Sequence, residues 1–132
     1  MADEVHVPIE RESDIVVARQ KGRALAAALG FSSCDQTLIA TAISEITRNI
    51  ITYATKGEVS LSTIKNGQQG LSITAVDKGP GIANLDQAMQ NGYSSSGSLG
   101  LGLPGAKRMM DEFEISSEPG KGTVVRMKKW KR

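Results

Sequence analysis

The stretch GSLGLGLPGAKR, residues 97–108, is open to two incompatible folds. From Gly100 it reads G-L-G-L-P-G, the G-x-G-x-x-G spacing of a dinucleotide loop, which belongs to a parallel doubly wound sheet. It also misses a P-loop by one residue, Ala106 standing between Gly105 and Lys107. A dinucleotide loop needs a hydrophobic strand directly before its glycines, and NGYSSSGS, residues 91–98, cannot form one. A protein-kinase glycine loop needs a lysine-bearing strand and an H-R-D segment after it, and neither follows. What remains is a glycine-rich lid leading into a helix at Pro104, whose first-turn amides form a ready anion site.

The flanking segments set the order of elements. VHVPI (5–9) reads as a strand, placed at a sheet edge by Pro8, which has no N–H for a ladder. Ser13 can cap a helix through DIVVARQKGRALAAAL, with Gly30 to end it. SCDQ, Ser33 to Gln36, has the capping-box pattern and opens a second helix to about Ala54. EVSLSTI and LSITAV alternate as strands around a turn at Asn66, Gly67 and Gly70. After a Gly-, Ser- and Asn-rich segment with a short helical piece near Leu85 to Met89, the Pro104 helix runs to about Glu112. FEISS and TVVRMKKW close the chain as a hairpin across Pro119 to Gly122. This order is α+β. No repeat, low-complexity tract or linker interrupts it, so one domain over residues 1–132 is expected.

Composition narrows the function classes. A hydrophobic fraction of 39% and a charged fraction of 23% are ordinary for a globular chain. A net charge of +2 and 4% aromatics argue against a nucleic-acid partner. The terminal run Lys128-Lys129-Trp130-Lys131-Arg132 reads as a solvated strand end or an anion patch. Cys34 is the single cysteine, so no internal disulfide is possible and a reducing cytoplasm is expected. His6 is the single histidine, in a strand. Catalysis by Ser-His-Asp or Cys-His, and metal sites built from His and Cys, therefore lack their parts. No apolar run approaches spanning length and no secretory leader is visible, so no membrane association is expected.

The second helix carries the chemistry. On DQTLIATAISEITRNIITYA, residues Ile39, Ala42, Ile43, Ile46, Ile50 and Tyr53 form a stripe suited to burial. Thr41, Glu45, Arg48, Asn49 and Thr52 share the other side, either a solvated face or a site. An amide oxygen is a hard, uncharged Mg²⁺ ligand, and a carboxylate one turn away can orient or deprotonate a hydroxyl. Arg48 can neutralise Glu45, hold an anionic oxygen or form a surface pair, and the sequence does not choose. After LSITAV comes DKGPGI, Asp77 to Ile82. Its aspartate can accept from an exocyclic amine, and Gly79 and Gly81 let a flat ring approach the backbone, although a plain Gly-Pro-Gly turn is the other reading.

SEITRNI, DKGPGI, GSLGLGLPG and GKGT (120–123) occur in that order. Together they resemble the N box, the two glycine boxes and the terminal Gly-x-Gly-Thr of the ATPase superfamily of gyrase, Hsp90, histidine kinases and MutL (GHKL). The chain is similar nearly end to end to serine protein kinases of the anti-sigma-factor branch, and within it to the RsbT-type switch kinases of the bacterial stressosome. The resemblance implies a Bergerat fold, a two-layer sandwich of a mixed sheet with helices on one face, binding ATP and Mg²⁺. It implies Glu45 as the base for the acceptor serine, with Arg48 beside it, and Asn49 as the Mg²⁺ ligand. Asp77 would take the adenine amine, supported through water by Thr123. Gly79, Gly81 and Ile82 would shape the adenine pocket, Gly100, Leu101, Gly102 and Gly105 would meet the phosphates, and residues 83–99 would form the lid. The implied partners are a STAS-domain protein, the substrate, and a PP2C-type phosphatase activated when the kinase is released. The chain has no phospho-acceptor histidine domain, which disfavours a two-component histidine kinase. Two other classes stay open: an anti-sigma factor that sequesters a sigma factor, and a binding module holding nucleotide as a structural ligand.

Overall fold

Period-two burial in five segments and a wide apolar face on two helices produce two layers. The computed structural model describes residues 4–79 and 102–131. The elements are β1 (Glu4–Ile9), α1 (Ser13–Leu29), α2 (Ser33–Tyr53), β2 (Gly57–Lys65), β3 (Gln69–Asp77), α3 (Gly102–Met109), β4 (Glu112–Glu118) and β5 (Gly122–Trp130). The short helical piece expected near Leu85 to Met89 lies outside the described residues.

The strands form one sheet in the order β1-β2-β3-β5-β4, and all four pairings are antiparallel. The α+β two-layer arrangement is as expected, but the described sheet is antiparallel where the resemblance implies a mixed one. The physical reason is topological. The chain leaves β3 and re-enters the sheet at the far edge as β4, and the Pro119–Gly122 turn folds β5 back between them. β3 and β4 thus run the same way but never pair.

Alternation aims Val59, Leu61, Leu71, Ile73, Val125 and Met127 into one core with Ile39, Ile43, Ile46 and Ile50 of α2. Each such side chain, removed from water, contributes about 1.5–3 kcal/mol before chain entropy is charged against it. α2 lies centrally, packed on both α1 and α3, and is buried almost without a break from Ile39 to Thr47. Buried Ser44 and Thr47 tolerate this because their hydroxyls donate to the Ala40 and Ile43 carbonyls at 2.9 and 2.7 Å. Tyr53, expected in the apolar stripe, is 41% exposed because it stands in the final turn, where α2 runs past the core. Met110 is buried and Met109 packs against the core, so these methionines serve packing.

The helix ends differ by a residue or two from expectation. Ser13 is the first residue of α1 and does not cap it; the Asp14 carboxylate instead accepts from the Glu10 and Arg11 amides at 2.9 and 3.1 Å. Gly30 ends α1 as expected, in the left-handed conformation at φ 90°. The cap of α2 is Ser32 rather than Ser33: its hydroxyl accepts from the Asp35 amide at 3.1 Å, and Gln36 turns its amide to the Phe31 carbonyl. α3 stops at Met109 instead of Glu112, because Glu112 pairs with Lys128 as the first residue of β4.

Ser32→Ala should therefore cost about 1 kcal/mol in urea unfolding, whereas Ser33→Ala should cost at most a few tenths. A larger loss for Ser33→Ala than for Ser32→Ala would place the cap at Ser33.

Candidate functional site

The last residue of β3 lies in a crowded corner of the described chain. Asp77 is 7% exposed and stands in a line across four strands, Gly57–Asp77–Thr123–Ser117. Its Oδ1 accepts from the Gly79 amide at 3.0 Å, an Asx-type turn that fixes the carboxylate on its own loop. One accepted bond leaves a carboxylate capacity for more. The line is polar at its centre, and Thr123, 5% exposed, shares a 2.9 Å hydrogen bond with the Ser117 hydroxyl.

Glycines let the backbones close around Asp77. A Cβ on Gly57 would stand 2.5 Å from the Val76 carbonyl oxygen and 3.1 Å from the Asp77 Cβ. One on Gly79 would stand 2.5 Å from the Ala54 Cβ, and one on Gly122 would collide with the Asp77 carbonyl oxygen. Gly122 also has φ 103°, a region that L side chains avoid. The same contacts bring in α2, since Ile50 and Ala54 of its last turns meet Gly57 and Gly79. The turn that carries Asn49 is thereby seated on the strand ends that carry Asp77.

One turn back along α2 is Glu45. It is 9% exposed and bonded through Oε1 to Arg48 Nη1 at 2.9 Å. The sequence left a solvated face open here; Glu45 is instead buried, and Arg48 and Asn49 are half-buried. Of the three readings of Arg48, pairing with Glu45 is the one observed. α3 packs against α2 with Leu103, Pro104, Gly105 and Ala106 buried, so Gly102 and Gly105 lie on the helix beside the Glu45 helix. Gly81, Ile82, Gly100, Leu101 and the lid residues 83–99 lie outside the described residues.

The donor set suits a metal shared with a ligand. Among the described residues no group of three or more His, Cys, Asp or Glu could hold an ion alone. A neutral amide such as Asn49 beside a phosphate-bearing ligand fits Mg²⁺, which keeps few protein ligands and relies on substrate oxygens.

Residues 8–129 match the histidine kinase-like ATPase domain. The chain belongs to the histidine kinase-like ATPase family. Within the family it is 50% identical, over the whole of both chains, to the serine/threonine-protein kinase RsbT of Bacillus subtilis. It is 37% identical to an anti-sigma F factor of a Thermoanaerobacter species, over 70% of this chain and 68% of that one. Among solved structures, the RsbU and RsbW domains of a Mycobacterium tuberculosis protein superpose with a TM-score of 0.68 at 18% identity. That match covers 98% of this chain and 33% of the other. The mycobacterial sensor histidine kinase MprB superposes with a TM-score of 0.58 at 16% identity, over 97% and 99% of the two chains. These structures share the fold. The full-length identity to a kinase gives the class: the chain is an ATP-using protein serine/threonine kinase of the family.

Two residues of this region, and a third at the far end of β5, carry no signal in the local motifs. Gly57 is a lone glycine at the first position of β2. Ser117 is one of two serines in FEISS, and only counting back from the Pro119–Gly122 turn sets it opposite Thr123. Lys129 sits in the basic terminal run, yet it is 7% exposed and donates to the Met109 carbonyl at the end of α3 at 2.9 Å. A solvated strand end therefore does not describe it.

Gly122→Ala should lower stability by about 1–2 kcal/mol, from the left-handed backbone alone, and weaken ATP binding as the Asp77 backbone is pushed aside. Calorimetric titration with ATP checks this, and a wild-type affinity in a stable variant would show that the close approach is dispensable.

Proposed function

We propose that this chain transfers the γ-phosphoryl group of ATP, with Mg²⁺, to a serine of a STAS-domain partner. On release from that partner it engages a PP2C-type phosphatase, acting as a cytoplasmic partner switch built of one domain over residues 1–132. The observation that carries this reading is the 50% identity to a serine/threonine-protein kinase over the full length of both chains. The burial of Asp77 among glycines and the Glu45–Arg48 pair on the adjoining helix support it.

In this reading the Asp77 carboxylate accepts from the adenine amine, with Thr123 beside it. Gly79, Gly81 and Ile82 form the wall on which the purine lies. Amides of Gly100, Leu101, Gly102 and Gly105 meet the phosphates at the start of α3. Asn49 holds Mg²⁺, which when bound neutralises charge across the phosphates. The acceptor serine oxygen forms its bond to the γ-phosphorus as the bond to the β-phosphate oxygen breaks and ADP leaves. Glu45 takes the serine proton, and Arg48 holds that carboxylate in place until then.

A second reading is supported by the 37% identity to anti-sigma F factors. There the chain sequesters a sigma factor and phosphorylates that factor's antagonist with the same site. Direct binding of a sigma factor to the purified chain separates the two readings.

The deciding experiment is phosphotransfer from labelled ATP to purified STAS-domain proteins. Glu45→Ala should lower kcat by about 10²–10⁴-fold, the usual span for a positioned base, with ADP affinity retained. Asn49→Ala should abolish transfer at any Mg²⁺ concentration. Wild-type turnover in the Asn49 variant would remove that residue from the metal site.

A further inference from the structure

The second turn of α3 is tied to the sheet by a buried cation. Lys129, 7% exposed on β5, donates from Nζ to the Met109 carbonyl at 2.9 Å, and Asp35 Oδ1 of α2 stands 4.0 Å from the same ammonium. α3 has eight residues, too few to persist as a helix without tertiary support. Its first turn has that support, with Leu103, Pro104, Gly105 and Ala106 buried. Its second turn has less: Lys107 and Arg108 are exposed and Met109 is half-buried. The last carbonyls of a helix lack partners within it. Here that of Lys107 receives the Met110 amide at a long 3.4 Å, and that of Met109 receives the Lys129 ammonium, the charge that a helix C-terminus favours.

We propose that Lys129 is a positioning residue for the phosphate end of the site: by capping α3 at its C-terminus it keeps this short helix wound, and with it the first-turn amides that meet the phosphates. The inference rests on the nucleotide reading above and adds a residue to it. Without the ammonium the Met109 carbonyl loses its partner and the second turn frays. The run of aligned peptide dipoles that favours an anion at the N-terminus shortens accordingly. The effect belongs to the phosphates and not to the base. Lys129 and Thr123 lie towards opposite ends of β5, about 20 Å apart at the rise of a strand, and Thr123 is the residue opposite Asp77.

The test compares the wild type with Lys129→Met, which keeps most of the side chain and removes its charge, at a temperature where both are folded. Calorimetry gives ADP affinity directly. Displacement of ADP gives the affinities for inorganic tripolyphosphate, which has no base, and for adenosine, which has no phosphate. Lys129→Met should weaken ADP and tripolyphosphate about fivefold, the scale of a cation at a helix end, and change adenosine affinity less than about twofold. Amide hydrogen exchange should quicken in α3 and not in α2. A side chain that served overall stability alone would not separate the two ligands. If Lys129→Met does not fold, Lys129→Gln carries the same comparison with a neutral donor. Unchanged affinity for ADP and tripolyphosphate, or an equal loss for tripolyphosphate and adenosine, overturns this inference alone. Absence of ADP binding by the wild-type chain overturns the nucleotide reading and this inference with it.

Discussion

The closeness of three pieces of backbone around Asp77 is the constraint on which the rest of the molecule is arranged. β2, the loop after β3, and β5 each approach that residue through a glycine, at distances where a Cβ would overlap backbone or side-chain atoms. Such packing is possible only if the strand ends coincide, which the turn at Asn66–Gln68 and the Pro119–Gly122 turn enforce by fixing register. It also fixes α2. Ile50 and Ala54 press on Gly57 and Gly79, so the helix cannot slide along the sheet without opening the corner. The position of Glu45 and Asn49 relative to Asp77 is thereby a property of the backbone rather than of any pair of side chains.

Much of this arrangement was legible from the residues. The eight described elements follow from alternation, helical periodicity and turn residues, and the rejection of a parallel dinucleotide fold rested on NGYSSSGS, which cannot be a buried strand. Family resemblance added the order of motifs. The misses have local causes. Ser32 and Ser33 are adjacent and either can cap, and only backbone angles, φ −61° and ψ 159° at Ser32, decide which one does. Glu112 follows a helix whose last residues, Ala106 to Met109, are good formers, and its strand pairing with Lys128 is a long-range contact that outweighs propensity. The sheet reads as mixed by resemblance because nothing local shows that β5 enters between β3 and β4.

The site was less legible than the fold, for a related reason. Glu45 and Asn49 stand out by spacing, but a helical face is buried or solvated according to what packs on it, and α3 comes from the far side of the chain. Lys129 shows the opposite case, a lysine in a basic run that the fold takes inside. Its ammonium meets the Met109 carbonyl, one of the unpaired acceptors at a helix C-terminus, where a positive charge is favoured. That bond ties β5 to the end of α3, and Asp35 near the start of α2 stands 4.0 Å away. The helix with the second glycine box is thus tethered to the same strand whose other end supplies Thr123.

Two kinds of polar burial therefore coexist, and they differ in what they fix. At the sheet end, Asp77, Thr123 and Ser117 are held by short-range hydrogen bonds to backbone and to one another, which fix where their oxygens stand. On α2, the Glu45 carboxylate is matched by a cation, Arg48, whose own side chain is 39% exposed. A hydrogen-bonded group in a glycine-lined corner has little freedom to change, which on the proposed mechanism suits recognition of a rigid, flat base. An ion pair with one partner reaching solvent can exchange that partner without unpacking the core, which on the proposed mechanism would let the carboxylate meet a hydroxyl. Rigidity at one end of α2 and exchangeability one turn back follow from the same helix packed on glycine at its end and on side chains along its length.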